Sequence, residues 1–441
     1  MIKRVILAGA LAATLGGCGI FGKGATKTTP TIGERRPVLG FEPVVEADAT
    51  LAGVAVTLPE PVANPDWTQP GGSASKSLGQ LALGNALKPA FSISIGDGTS
   101  KTERLGAPPV VADGRIYTVD VGGAVRAFDA NTGATVWTAR PGTQGDSQES
   151  LFGGGVSYGN GRVYATNGLG SVSALDAKTG AVAWTLRPGG PLRGAPTVTD
   201  DTIYVMSQDS QIYSLKTSDG STNWSEAATL ELAGVFGTGA PAFAQGTVVA
   251  GFASGDLNAY RYENGRQLWN DALSRTSIST SVSSLSDIDA APVIDAGRVY
   301  AVGQGGRMVA LELTTGQRLW ELNIAGISTP WVAGEWVFVV TDDARLLCIA
   351  RGTGKIRWIS QLARYEDAKD KKGPINWVGP VLAGGRLILA NSAGQLAYVN
   401  PADGAVQSTT DVARGISLSP VVANNTLYIL DDDGRLTAFR G

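Results

Sequence analysis

The residues able to do chemistry are few, and their types exclude more than they offer. Among 441 residues there is no histidine, and there are two cysteines, Cys18 and Cys348. That excludes a Ser-His-Asp or Cys-His centre, an imidazole general base and a histidine-ligated zinc. Two thiols cannot supply a four-cysteine zinc or iron–sulfur site within one chain. Cys348 stands in the apolar run Leu346-Leu347-Cys348-Ile349, where a buried core thiol is expected rather than a reactive one. The run Asp431-Asp432-Asp433-Gly434 has calcium-like composition, but it falls where the repeat described below turns between two strands, so a solvated hairpin is the better reading. A formal charge of −3 argues against non-specific nucleic-acid binding. No catalytic residue, metal site or cofactor is assigned.

Cys18 is the exception, because of what precedes it. Lys3 and Arg4 lead into an apolar run over 5–15 that closes with Leu15-Gly16-Gly17-Cys18. The run is too short to span a bilayer, which takes about 20 residues, but suits the core of an export signal. Its end resembles the bacterial lipobox, in which small residues precede a cysteine that is lipidated and becomes the mature N-terminus; an ordinary signal peptide with an incidental cysteine is the alternative. In that lipoprotein class an Asp after the cysteine tends to retain the protein at the inner membrane, so Gly19 implies an outer-membrane, periplasm-facing location. Residues 1–17 are expected to be a signal peptide. Residues 18–66, rich in proline (Pro30, Pro37, Pro43, Pro59, Pro61, Pro65), are expected to form a mostly unstructured tether.

The rest of the chain repeats itself. The frame of residues 109–137 returns without gaps at 156–184, 196–224, 241–269, 292–320, 330–358 and 380–408. Its ninth position is Tyr117, Tyr164, Tyr204, Val249, Tyr300, Phe338 and Ile388. Sixteen residues later comes a glycine in every copy, and four residues after that a tryptophan, replaced only by Ser408. Each copy reads as four antiparallel strands. A short apolar run meets an Asp113-Gly114 type turn, then two alternating strands, then a Thr132-Gly133 turn and the strand that carries Trp137. Such a unit is one propeller blade. The recurring tryptophan is expected to pack between blades, with its N–H on a partner. An eighth copy starts at Pro420, and three of its strands fit before Gly441. The stretch Phe91-Ser92-Ile93-Ser94-Ile95 resembles Trp320-Glu321-Leu322-Asn323-Ile324, so Phe91 is expected to take the tryptophan place and close the ring beside Ala438-Phe439. The expectation is an all-β, eight-bladed propeller over 67–441.

The core Ala-x-Asp-x-x-Thr-Gly-x-x-x-Trp, seen at Ala127 to Trp137 and Ala174 to Trp184, resembles the PQQ-type propeller repeat. Two kinds of protein share it: quinoprotein dehydrogenases, and the BamB lipoproteins of the outer-membrane β-barrel assembly (BAM) machinery. The dehydrogenases carry a vicinal cysteine pair and a calcium-binding acid set, and this sequence has neither at a matching place. The resemblance to BamB covers the lipobox, tether, repeats and closure. It implies a non-enzymatic scaffold that binds a POTRA domain of BamA and assists nascent outer-membrane proteins. A dehydrogenase-like or envelope glycan-binding propeller is the alternative. Leu285-Ser286-Asp287-Ile288-Asp289 resembles the family's Leu-Ser-Asp-Val-Asp segment, which implies that Asp287 and Asp289 contact POTRA. Leu230-Glu231-Leu232-Ala233 stands where the family has Leu-x-Leu-Arg, so Leu230 and Leu232 carry over while Ala233 lacks the arginine's charge.

The strand order gives those residues a common place. In a four-stranded antiparallel blade, the first strand begins at the end where the fourth finishes. All blade-to-blade connectors therefore share one face of the disc, opposite the Thr-Gly turns. The connectors at 225–240 and 270–291 are neighbours around the ring, and long loops on a rigid scaffold are favoured binding sites. Locally, the leucines could instead cover the core edge and the acids cap turns. The connector at 359–379, with mixed charge over 364–372, reads as a solvated loop or one helical turn.

Overall fold

The computed structural model describes residues 45–143, 150–192, 194–230, 239–274, 286–412 and 414–441. Among them stand eight four-stranded antiparallel sheets, each with its strands paired in sequence order except at the closure. Blade 1 comprises Val110–Ala112, Arg115–Val119, Val125–Asp129 and Thr135–Ala139. Blades 2 to 7 follow in the same way, with outer strands Val182–Leu186, Thr222–Ala227, Gln267–Ala272, Arg318–Leu322, Ile356–Gln361 and Val406–Asp411. Blade 8 takes three strands from the C-terminal end (Val421–Ala423, Thr426–Leu430, Arg435–Arg440) and its outer strand, Lys88–Ser94, from the N-terminal side. Phe91 lies opposite Ala438, as the repeat predicts. The protein is an all-β, eight-bladed propeller.

One interaction repeats at the blade seams. Each tryptophan donates its indole N–H to a carbonyl of the following blade: Trp137 to Ala177 (3.0 Å), Trp224 to Tyr262 (2.7 Å), Trp269 to Leu313 (2.7 Å) and Trp358 to Pro401 (3.0 Å), with Trp184 and Trp320 alike. The same ring lies against the turn glycine of that blade. A Cβ on Gly316 would stand 2.5 Å from Trp269, and Gly133 meets Phe91 in the same way at 2.7 Å. The glycine thus serves two needs, a positive φ in the turn and room for the aromatic ring. Across its own blade each tryptophan faces a small residue: Ala127, Ala174, Ser214, Ala259, Ala310 or Cys348. This explains Cys348, a fully buried thiol whose ionisation burial suppresses.

The N-terminal part departs from expectation. Residues 45–54, within the expected tether, run along the outer strand of blade 6. Asp48 N donates to Ile356 O (2.8 Å) and Arg357 Nε to Val54 O (2.8 Å). A short 3-10 turn, Ala49–Leu51, is capped by the Asp48 carboxylate.

The chain then enters the centre of the ring and visits the first strand of every blade in turn. Asn64 bonds Val422 of blade 8, and Trp67 exchanges backbone hydrogen bonds with Val111 of blade 1. Thr68 O accepts from Tyr158 of blade 2, and the Gln69 amide pairs with the backbone of Val198 of blade 3. Ala74 O and Ser75 O accept from Phe243 and Ile294, Gly79 O accepts the Trp331 indole, and Leu81 N donates to Leu382 O of blade 7. These first strands are innermost, so their inner edges would otherwise present unpaired backbone groups to the axis. The circuit of 62–83 satisfies them near the face opposite the connectors. The circuit leaves no mark in the repeat, because its segment resembles none of the blades.

The 359–379 connector forms a two-stranded hairpin, Tyr365–Asp367 with Lys372–Pro374, largely exposed, so the solvated reading holds and the helical turn does not.

Candidate functional site

The connector face carries the residues singled out in the sequence. The described stretch 286–290 bridges two neighbouring hairpins, the second-to-third-strand turns of blades 4 and 5. Ile288 N donates to Phe252 O (3.2 Å) and Ser286 Oγ to Ala253 O (3.2 Å) on blade 4. Gln304 N of blade 5 donates to Asp287 O (2.9 Å). Ile288 is buried, and its Cγ2 would stand 2.4 Å from a Cβ on Gly251. An apolar residue therefore anchors the stretch while its neighbours are held by backbone bonds.

The two acids differ in situation. Asp287 is 1% exposed, so its carboxylate does not lie open on the face. Asp289 is half-buried, and its Oδ2 accepts from Gln304 Nε2 at 2.9 Å. Burial pushes the Asp289 carboxyl up to about 7, with the charges of Asp287 and Asp342 adding to it. Asp342, in the corresponding hairpin of blade 6, is itself raised to about 6, first by burial and then by Asp343. The family resemblance gave Asp287 and Asp289 the same role; the fold separates them into a buried residue and a partly accessible one. Gln304 and Asp342 belong to the same cluster. The repeat frame puts both in second-to-third-strand turns, on the connector face, and that was the available signal.

The described ends of the two connectors do lie on one side. Gly239, at the end of the first, packs against Ala290 at the end of the second, and a Cβ there would meet the carbonyl of Asp289 at 2.9 Å. Leu230 is 59% exposed, the solvent-facing apolar residue expected of a contact. Leu232 and Cys18 lie outside the described residues.

A family model for the outer membrane protein assembly factor BamB matches residues 97–150, 121–360 and 365–441. The chain belongs to the BamB family. BamB of Yersinia pestis is 28% identical over 330 residues, which cover 74% of this chain and 81% of that protein. BamB of Escherichia coli K12 is 28% identical over 389 residues, covering 78% and 86%. The crystal structure of BamB from Moraxella catarrhalis aligns with a TM-score of 0.67 at 20% identity, over 81% of this chain and 100% of that one, a likeness of fold.

Proposed function

We propose that this chain is a lipid-anchored, non-catalytic subunit of the BAM complex at the outer membrane, facing the periplasm. Its connector face holds a POTRA domain of BamA in a geometry that helps nascent outer-membrane proteins reach the barrel. The observation that carries this reading is the junction of the two connectors at Gly239 and Ala290, beside a partly accessible acid and near the start of a loop with an exposed leucine. Leu230 offers apolar area, with Leu232 as its companion. Asp289 offers a charge for Lys or Arg on the partner, which governs orientation and encounter more than affinity. Asp287, buried one turn of chain away, shapes the Asp289 environment rather than touching the partner. Cys18 carries the lipid.

The test is capture of the isolated BamA POTRA region from the same organism on the immobilised mature chain. Leu230→Glu, melting like wild type, and Asp289→Lys, folded as judged by its circular dichroism, are each expected to weaken capture at least tenfold. Undiminished capture by both variants refutes the assigned face, and failure of the wild type to bind refutes the function. Separately, Cys18→Ser should abolish incorporation of a palmitate analogue and release the protein from the membrane fraction.

A further inference from the structure

The connector face continues past Asp289 to the next blade. The stretch 325–327, in the connector from blade 5 to blade 6, is held as 286–290 is. Gly326 N donates to Gly303 O (3.4 Å) on the blade 5 hairpin, and Asp342 N of the blade 6 hairpin donates to Ala325 O (3.0 Å). The Asp342 carboxylate accepts from the backbone of Ile327 in return. Two residues on, the connector is tied back to its neighbour, since Ala291 N donates to Thr329 Oγ1 at 3.2 Å. The two stretches therefore flank one hairpin: Asp289 is bonded to Gln304 on one side of it, and Gly326 to Gly303 on the other.

These bonds fix the backbone of Ile327, yet its side chain is 42% exposed. Among the described residues of the connectors, Leu230 is the other large apolar side chain left that open. A lone exposed apolar residue is ordinary, but this one stands at the edge of a pit. Ile327 and the half-buried Leu418, from the connector between blades 7 and 8, line a cavity of about 180 Å3. Its walls are largely apolar, with Trp331, Val378 and Pro380, and the Trp67 ring of the circuit stacks on Trp331 with centroids 6.3 Å apart. A cavity of about 150 Å3 accommodates a benzene ring. The pit therefore has room for one apolar side chain and not for a chain segment.

We propose that Ile327 and this pit extend the docking face, and that the partner domain which sets a Lys or Arg against Asp289 seats one apolar side chain in the pit beside Ile327. The inference rests on the POTRA reading above. Leu230, Asp289 and Ile327 come from three successive connectors of one rigid ring, so a single domain laid across that arc meets all three. The acid then lies between two apolar contacts. Such contacts exclude water from the charge pair between them, and a side chain held in a pit fixes the register of the docked domain.

The test is photocrosslinking of the mature chain to the isolated BamA POTRA region. p-Benzoylphenylalanine replaces Ile327, Leu418 or Leu319 in turn. Leu319, 41% exposed on the outer strand of blade 5, is the control for exposure alone. Positions 327 and 418 are expected to crosslink to the same short segment of the POTRA region, and position 319 to give no crosslink. In capture, Ile327→Ser should weaken binding at least about fivefold, while Leu319→Ser leaves it unchanged. No crosslink from 327, in a protein that still captures POTRA and loses capture in Leu230→Glu, overturns this inference and leaves the docking reading standing. A crosslink from 327 without one from 418 removes the pit and overturns it as well. So does equal loss of capture in Ile327→Ser and Leu319→Ser. A wild type that captures no POTRA domain refutes the docking reading, and this inference with it.

Discussion

Tyr398 and Ser408 face each other across the last two strands of blade 7, with the large residue on the inner strand and the small one on the outer. In six other blades the order is reversed, tryptophan outside and a small residue inside. The one break in the tryptophan series is thus an exchange of sizes rather than a loss. Tyr398 also receives the Arg386 guanidinium over its ring, at 5.0 Å. Arg386 bonds Gly84 O and Asn85 Oδ1, where Arg115 and Arg162 of earlier blades reach carbonyls of the next blade's turn. Residues 84–85 therefore stand in for a turn that blade 8 does not supply.

This exchange predicts a compensating pair. Ser408 is exposed beside an open cavity of about 520 Å3 that Tyr398 also lines, so Ser408→Trp alone is a surface substitution that should change stability by no more than about 0.5 kcal/mol. Tyr398→Ala alone leaves a void, at about 2–3 kcal/mol. The double variant restores the arrangement of the other blades and should be more stable than the sum of the singles by at least about 1 kcal/mol. Denaturant titration of the four proteins measures the coupling; strict additivity would show that the two positions do not share one space.

The turn glycines can be separated into conformation and contact. Gly297 and Gly316 both have positive φ, 75 and 71, but a Cβ on Gly297 meets nothing within 4 Å while one on Gly316 lies 2.5 Å from Trp269. Gly297→Ala should cost only the backbone term, about 1 kcal/mol. Gly316→Ala should cost more by roughly 2 kcal/mol, because the indole must move and loosen its bond to Leu313 O. Equal melting temperatures for the two variants would remove the packing role assigned to the glycine.

The inner circuit makes Gln69 a sensitive position. Its amide donates to Val198 O at 3.1 Å and accepts from Val198 N at 3.0 Å, as a strand neighbour would. Gln69→Leu keeps the bulk and orphans both buried backbone groups, a loss of about 2–4 kcal/mol. Proteolysis should then cut within 62–83 before the blades are attacked. Unchanged protease resistance would mean that the circuit is held by its other contacts alone.

The blades were legible because their information is local. Turn glycines, alternating strands and a tryptophan at fixed spacing all lie within thirty residues, and repetition multiplies the signal; Phe91 was found only because it imitates that frame. The circuit was illegible for the opposite reason. Its partners are Val422, Val111, Val198, Phe243 and Leu382, one on each of several distant blades, and edge pairing leaves no periodicity in the segment that performs it. At the connector face, the resemblance of the Asp287–Asp289 segment was visible, but the unequal burial of the two acids was not. It follows from Ile288 sinking between Gly251 and Gly303, and from Gln304 reaching across from the next blade.

In the proposed docking, Asp289 links stability to partner binding through pH. Its folded pKa, about 7, lies above the ordinary carboxylate value of 3.8. Between those two values the folded protein holds a proton that the unfolded chain releases, so stability declines as pH rises from about 4 to 7. Asp289→Asn should flatten this decline, gaining about 1–2 kcal/mol over wild type at pH 7.5 and little at pH 4.5, seen as a Tm difference of a few degrees that appears only at the higher pH. Docking should run the other way. A Lys or Arg of the partner beside Asp289 favours its ionised form, so binding releases a proton and wild-type affinity for POTRA should strengthen from pH 6 to 8, whereas Asp289→Asn should bind with little dependence on pH. A wild-type affinity that is flat across that interval would take Asp289 out of the interface while leaving its stability effect intact.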